Sequence, residues 1–264
     1  MAASNPPRSR TPYKAVREIL AAEVGFVCPV PDCESPFLSW HHFDPPWRVE
    51  KHHRPEGMIA LCVECAGHAD SGGFTDDQLR ELKRVGIENS KKLRGRFKWL
   101  RQDLDFVFGN LWFHETPNLV LLHGEPIVWW RRVDGMIRIS LKLPGPEGWR
   151  FVMEDNAWTD LADATRVTCP PRGRELEVVY PDGDFIKLEF REVPSREEAA
   201  NLFGEIPSRA QFPSTILMVG LRLQEFGLDL QHGKTNRAGF LNIGGYMYSG
   251  HCQNGLPLPM PIIR

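Results

Sequence analysis

The sequence predicts an α+β chain in two parts: a small cysteine-stapled module at residues 26–104 and a mostly β region at residues 105–264. Two close cysteine pairs, Cys28-x4-Cys33 and Cys62-x2-Cys65, flank a histidine-dense loop. Apolar residues recur at helical spacing in the first hundred residues, then alternate after about Phe106. With 264 residues, 42% of them hydrophobic and 25% charged, the chain has the composition of a globular protein able to bury real cores.

Residues 1–12 are polar and proline-bearing and read as disordered; with the helix that follows they form residues 1–25. Val16, Ile19, Leu20 and Val24 share one helical face, which predicts a helix from Tyr13 to Val24. Met58–Cys62 reads as a short strand turning into a helix that carries Cys65 and His68. Thr75-Asp76-Asp77-Gln78 is a capping box, so a helix starts near Asp76, with Leu79, Leu82 and Val85 on one face and Gly86 or Gly95 as its interruption.

Beyond Phe106, Ile137, Ile139, Leu141 and Leu143 alternate with polar residues, as a half-buried strand requires. Leu176–Tyr180 and Phe185–Phe190 flank the turn Pro181-Asp182-Gly183-Asp184 and predict a hairpin. Leu217, Val219, Leu221 and Leu223 supply another strand. Ser195-Arg196-Glu197-Glu198 opens a helix through about Leu202. The glycine-rich stretch 239–246 lacks the strand–GxGxxG–helix setting of a nucleotide loop.

No run of 18 apolar residues exists and the first residues hold no apolar leader, so the expectation is no membrane partner, a cytoplasmic setting and reduced thiols. The net charge is −2, but it is unevenly spread. Residues 80–101 hold Arg80, Lys83, Arg84, Lys91, Lys92, Arg94, Arg96, Lys98 and Arg101 against Glu81 and Glu88 alone. That local excess is either a solvated face or a surface that follows a phosphate backbone.

Four thiolates in two close pairs suit a tetrahedral structural zinc ion, with Cys28, Cys33, Cys62 and Cys65 as ligands. Five of the nine histidines fall between residues 41 and 68: His41, His42, His52, His53 and His68. Neighbours on a strand point to opposite faces, so His41 and His42 divide their work, one as a metal ligand and the other as a base. Trp40 and Trp47 bracket the doublet and are expected to pack around it rather than stack on bases.

The pattern Cys-x4-Cys, His41-His42-Phe43-Asp44-Pro45 and Met58-Ile-Ala-Leu-Cys62-Val-Glu-Cys65 resembles the HNH nucleases over about residues 26–85. The resemblance implies the ββα-metal fold, His42 as general base, His41 as ligand to a catalytic divalent cation such as magnesium or manganese, and DNA as substrate. The chain departs from that family at two positions. Gly57 stands where the family carries asparagine, and Ala66 where it carries the second metal-binding histidine. Asp70, one turn beyond Ala66, is a candidate replacement; His68, about 200° round the helix from Ala66, is placed less well. His52 and His53 are loop alternatives. The site is therefore rearranged, weakened or retired.

Two functions follow from these residues. The first is a metal-dependent DNA endonuclease in which Arg80, Lys83, Arg84, Lys91, Lys92, Arg94 and Arg96 hold phosphates, and the β region targets, senses or mediates contact with a protein partner or oligomer. The second is a non-catalytic zinc-stapled nucleic-acid-binding or adaptor protein. Ligand binding or hydrolysis by the β region is the weakest reading, because no nucleophile motif is present and His114, His123, His232 and His251 are scattered.

Overall fold

The computed structural model describes residues 9–33, 35–86, 94–161, 163–233, 236–238, 241–243 and 247–258. The chain divides into two compact units, Met1–Gly95 with Cys169–Gly173, and Arg96–Thr168 with Arg174–Arg264. Both α and β elements are present, and the second unit is mostly β. Among the described residues no helix is long and apolar enough to cross a membrane.

The first unit is built from helix α1 (Lys14–Glu23), strand β1 (Leu38–His42), strand β2 (Met58–Cys62), helix α2 (Val63–Asp70) and helix α3 (Asp76–Val85). β1 and β2 pair antiparallel, from Leu38 opposite Cys62 to His42 opposite Met58. Every residue of β2 is buried, which its unbroken apolar run Met-Ile-Ala-Leu-Cys requires, since helices and loop cover both of its faces. Leu20 and Val24 from α1 and Leu79 from α3 close the same core. Thr75 caps α3 as its sequence predicts: its hydroxyl accepts the Gln78 N–H, and the Gln78 side chain accepts the Thr75 N–H. That helix ends at Val85 and Gly86, and Gly95 lies instead in a short strand, Arg94–Arg96.

The second unit holds two sheets. One runs in the order Asn254–Pro257, Asn118–Leu122, Glu125–Val133, Met136–Gly145, Gly148–Glu154, Ala157–Leu161. The other is centred on the hairpin Glu175–Val179 with Phe185–Val193, which pairs onward with Ser214–Leu223. Alternating burial along these strands matches the alternating sequence, with Leu176, Val178, Ile186, Leu188, Val219 and Leu221 turned inward. Ser214–Leu223 also pairs in parallel with Asp105–Phe108, and Met247–Gly250 pairs in parallel with Leu111–His114. Helix Arg196–Phe203 is capped by Ser195, whose hydroxyl accepts the Glu198 N–H. The glycine-rich stretch 239–246 falls partly outside the described residues.

Asn156 anchors the first sheet from a left-handed backbone, with φ of 68°. Its side-chain oxygen accepts the Ile139 N–H at 2.8 Å while its own N–H donates to the Ile139 carbonyl, and the residue is 1% exposed. Asn156→Ala removes that acceptor and places alanine in a left-handed conformation that it tolerates less well than asparagine does, a cost of about 2–4 kcal/mol in chemical denaturation. Asn156→Gly, which tolerates the backbone, is expected to cost less; equal losses would rule out the backbone contribution.

Candidate functional site

The four expected cysteines converge. The sulfur atoms of Cys28, Cys33, Cys62 and Cys65 all lie within 4.8 Å of one another, and this is the one such cluster of three or more His, Cys, Asp or Glu ligand atoms among the described residues. The Cys33–Cys62 and Cys65–Cys33 sulfur separations are 3.5 and 3.8 Å. A disulfide needs about 2.05 Å, so these sulfurs are not joined in one. A tetrahedron of thiolates at the usual zinc–sulfur distance has edges of about 3.8 Å, so the cluster has the right size for an ion such as zinc. Local geometry shapes each knuckle. Cys62 ends β2 and caps α2, its sulfur accepting the Cys65 N–H at 3.4 Å, while the Cys33 N–H is held by the Val30 carbonyl at 3.1 Å.

Burial pushes the Cys28 thiol up to about 12 and raises that of Cys65 as well. Burial acts the same way on Cys62, but the Cys65 N–H and the neighbouring thiols hold it below its ordinary value. A bound cation reverses the preference for the protonated form by taking the thiolate itself.

The histidines sit at the other end of the β1–β2 ladder, in a cleft of about 380 Å³ bordered by Arg10, His41, His42, Trp47, Asp70 and Asp76 among others. His41 is 6% exposed, and its Nδ1 lies 3.2 Å from Asp70 Oδ1 without the alignment of a hydrogen bond, leaving that buried nitrogen unpartnered. Burial lowers the His41 pKa, with Asp70 acting in the opposite direction, so the ring favours its neutral form. Asp70 reaches it because α2 folds back along the hairpin. Seven helical steps and three strand steps both cover roughly 10 Å, which returns the end of α2 to the level of His41.

His42 is 2% exposed and donates from Nε2 to the His52 carbonyl at 2.9 Å, which leaves Nδ1 with a free lone pair and no partner. Trp47 tilts against the His42 ring at 4.7 Å and stacks on His53 at 5.6 Å, the packing role its position predicts. Burial pushes the His42 pKa down to about 4, only partly opposed by the hydrogen bond to His52.

The remaining candidates separate. His52 uses both nitrogens structurally, donating from Nε2 to the Pro45 carbonyl and accepting the Arg54 N–H at Nδ1, so it cannot swing in as a ligand without losing both bonds. His53 donates from Nε2 to the Ser9 carbonyl at 2.9 Å. His68 is exposed on α2, away from the face that carries Asp70. At Gly57, a Cβ would stand 1.9 Å from the Asp44 carbonyl oxygen, so no side chain fits there, and the Gly57 carbonyl instead accepts the Phe43 and Asp44 N–H groups.

Two expectations need correcting. Of the segment read as disordered, residues 1–8 lie outside the described residues, but Ser9 bonds to His53 and Arg10 donates to Asp70 at 3.2 Å. A contact sixty positions away leaves no local signal, so the sequence hid it. The basic helix is also less available than its composition promised. Arg80 pairs with Asp44 and Asp77, Arg84 with Glu81, and Lys83 with Glu23 and the Pro55 and Met58 carbonyls. Lys91 and Lys92 fall outside the described residues, as does the Arg94 side chain; Arg96 is exposed.

Comparison with protein-family models, with curated proteins and with solved structures finds no match to this chain.

Metal analysis of the purified chain is expected to return about one zinc, with Cys62→Ser or chelation removing it and melting the first unit while the β unit keeps its own transition. Retention of full zinc after Cys62→Ser would exclude the four-sulfur site.

The histidines give stability a pH dependence of known sign. An unfolded histidine titrates near 6.5 and His42 in the fold near 4, so the contribution is complete above about pH 6.5 and is lost as pH falls toward 4. Its size is on the order of 3 kcal/mol at most. His42→Gln should flatten the fall in denaturation midpoint between pH 7 and 4; an unchanged slope would exclude His42 as its source.

Proposed function

We propose that the first unit is a metal-dependent phosphodiesterase acting on DNA, related to the HNH nucleases, with the cysteine cluster holding a structural zinc ion. The observation that carries this reading is the pair His41 Nδ1 and Asp70 Oδ1. They lie 3.2 Å apart in a cleft, with the nitrogen buried and unbonded. Two neighbouring ligands of an octahedral magnesium ion stand about 3.0 Å apart, so the pair fits a divalent cation. Asp70 thereby answers for the histidine that Ala66 replaces.

In this reading His41 and Asp70 hold the cation, which when bound neutralises charge on the phosphate and the leaving oxygen. His42 is the base. Its Nε2 proton is committed to the His52 carbonyl, so the free Nδ1 lone pair is the one that takes a proton from water. Its lowered pKa keeps the ring in the proton-accepting form at neutral pH, at the expense of basicity. Arg10, now on Asp70, is placed to transfer its guanidinium to a phosphate oxygen once a cation takes the carboxylate.

A second reading, a non-catalytic nucleic-acid-binding or adaptor protein, is favoured by the 2% exposure of His42 beneath Trp47 and by the paired cations of α3.

Supercoiled plasmid nicking with added magnesium or manganese separates the two. The nuclease reading expects His42→Ala to lower the rate by roughly 10²–10⁴-fold, and Asp70→Asn to raise the metal concentration required. Zinc-loaded protein that nicks under neither metal, yet shifts DNA in a gel, establishes the second reading.

A further inference from the structure

The second unit contains a constellation that the sequence concealed. His114 and His251 are far apart in the chain, but Met247–Gly250 pairs in parallel with Leu111–His114, and the His251 N–H donates to the His114 carbonyl at 3.0 Å. Their rings come within 5.3 Å, edge to face. Both border a cavity of about 510 Å³, together with Tyr248, Ser208 and Arg209. That volume falls within the range of small-molecule sites.

Each wall is held in place. Asp105, with a side chain 7% exposed, lies 2.6 Å from His114 Nδ1 and accepts its N–H, which leaves Nε2 as the nitrogen offered to the cavity. Tyr248 lies over Gly250, where a Cβ would fall 2.7 Å from the phenol oxygen, so only glycine admits the ring in this position. The segment bearing Ser208 and Arg209 is clamped from beneath by Arg196, which donates to the carbonyls of Pro207, Ser208 and Ala210 at 3.1, 3.0 and 2.7 Å. Burial and then the Asp105 charge raise the pKa of the Tyr248 phenol, with Arg209 acting in the opposite direction.

The chemistry of this lining is one-sided. Arg209, the phenol and the Ser208 hydroxyl supply hydrogen-bond donors, His251 offers one ring N–H, and His114, whose Nδ1–H is committed to Asp105, donates at Nε2 only when its ring is doubly protonated. No carboxylate is among the described residues that line the cavity; Asp105 is buried behind His114, and nearby Glu115 is paired with Arg132. A donor-rich, preorganised cavity with a single guanidinium suits an oxyanion with several acceptor oxygens, and its volume leaves room for an organic group beyond a bare ion.

We propose that this cavity binds a phosphate monoester of up to mononucleotide size, with Arg209, His114, His251 and Tyr248 on the phosphate and Asp105 as the positioning residue for His114. This site lies wholly within the second unit and stands independently of any nuclease activity in the first.

Isothermal titration of the full zinc-loaded chain with adenosine monophosphate, inorganic phosphate, adenosine and citrate tests it. Adenosine monophosphate is expected to bind saturably and inorganic phosphate more weakly, with adenosine silent. Arg209→Ala and His251→Ala each weaken binding by roughly tenfold or more, with circular dichroism and melting unchanged. Asp105→Asn is expected to shift the His114 tautomer, read from imidazole ¹⁵N resonances, a change that a purely structural role would not produce. Should Asp105→Asn fail to fold, the exposed Arg209→Ala variant still decides the matter. Absence of phosphate binding, equal binding of adenosine, citrate binding as tight as the monophosphate, or binding that survives both Arg209→Ala and His251→Ala each overturns the proposal.

Discussion

The first unit depends on one junction, where β2 gives way to α2 at Cys62. That residue ends a fully buried strand, caps the following helix and contributes one of four clustered sulfurs. Two short strands alone would be marginal in water. Fixing one end of the ladder at Leu38 and Cys62 sets the register of the whole hairpin, and so the position of His42 opposite Met58 at its other end. The helix leaving the junction then has one length at which its last residue meets His41. Asp70 occupies that place. A sulfur cluster at one end of a hairpin thus fixes a carboxylate and an imidazole at the other.

The cleft shows how burial and charge are balanced. Burial disfavours the cationic forms of His41 and His42. Each retains a buried nitrogen without a hydrogen bond, and groups left in that state carry a desolvation cost that a packed core would avoid. Meanwhile Arg10 pairs with Asp70, the carboxylate that lies 3.2 Å from His41. A purely structural histidine pair would resemble His52, with both nitrogens satisfied. His53, like His41 and His42, leaves a buried Nδ1 unbonded, so among these histidines His52 alone has both nitrogens engaged.

Much of this was legible in the sequence because it rests on short-range rules. The cysteine spacing, the Thr75 capping box, the Pro181–Asp184 turn and the alternation from Ile137 to Leu143 all act over fewer than ten residues, and each marks its own structure. What escaped is long-range. Arg10 on Asp70 and His114 beside His251 come together through chain paths with no local signature. The basic run misled for a related reason. Counting charge by position cannot reveal that Arg80 turns to Asp44 or that Lys83 points to backbone carbonyls. Composition gives the number of cations, while pairing decides how many remain for a partner.

Both sheets of the second unit depend on residues near position 250. Met247–Gly250 lies beside Leu111–His114, and Asn254–Pro257 lies beside Asn118–Leu122, in each case in parallel and more than a hundred residues away in sequence. Strands Leu111–His114 and Asn118–Leu122 therefore wait with open edges throughout translation of the intervening chain. Those edges find these partners only when residues 247–257 have been made, so a nascent chain of this protein carries them unpaired through synthesis of the intervening residues.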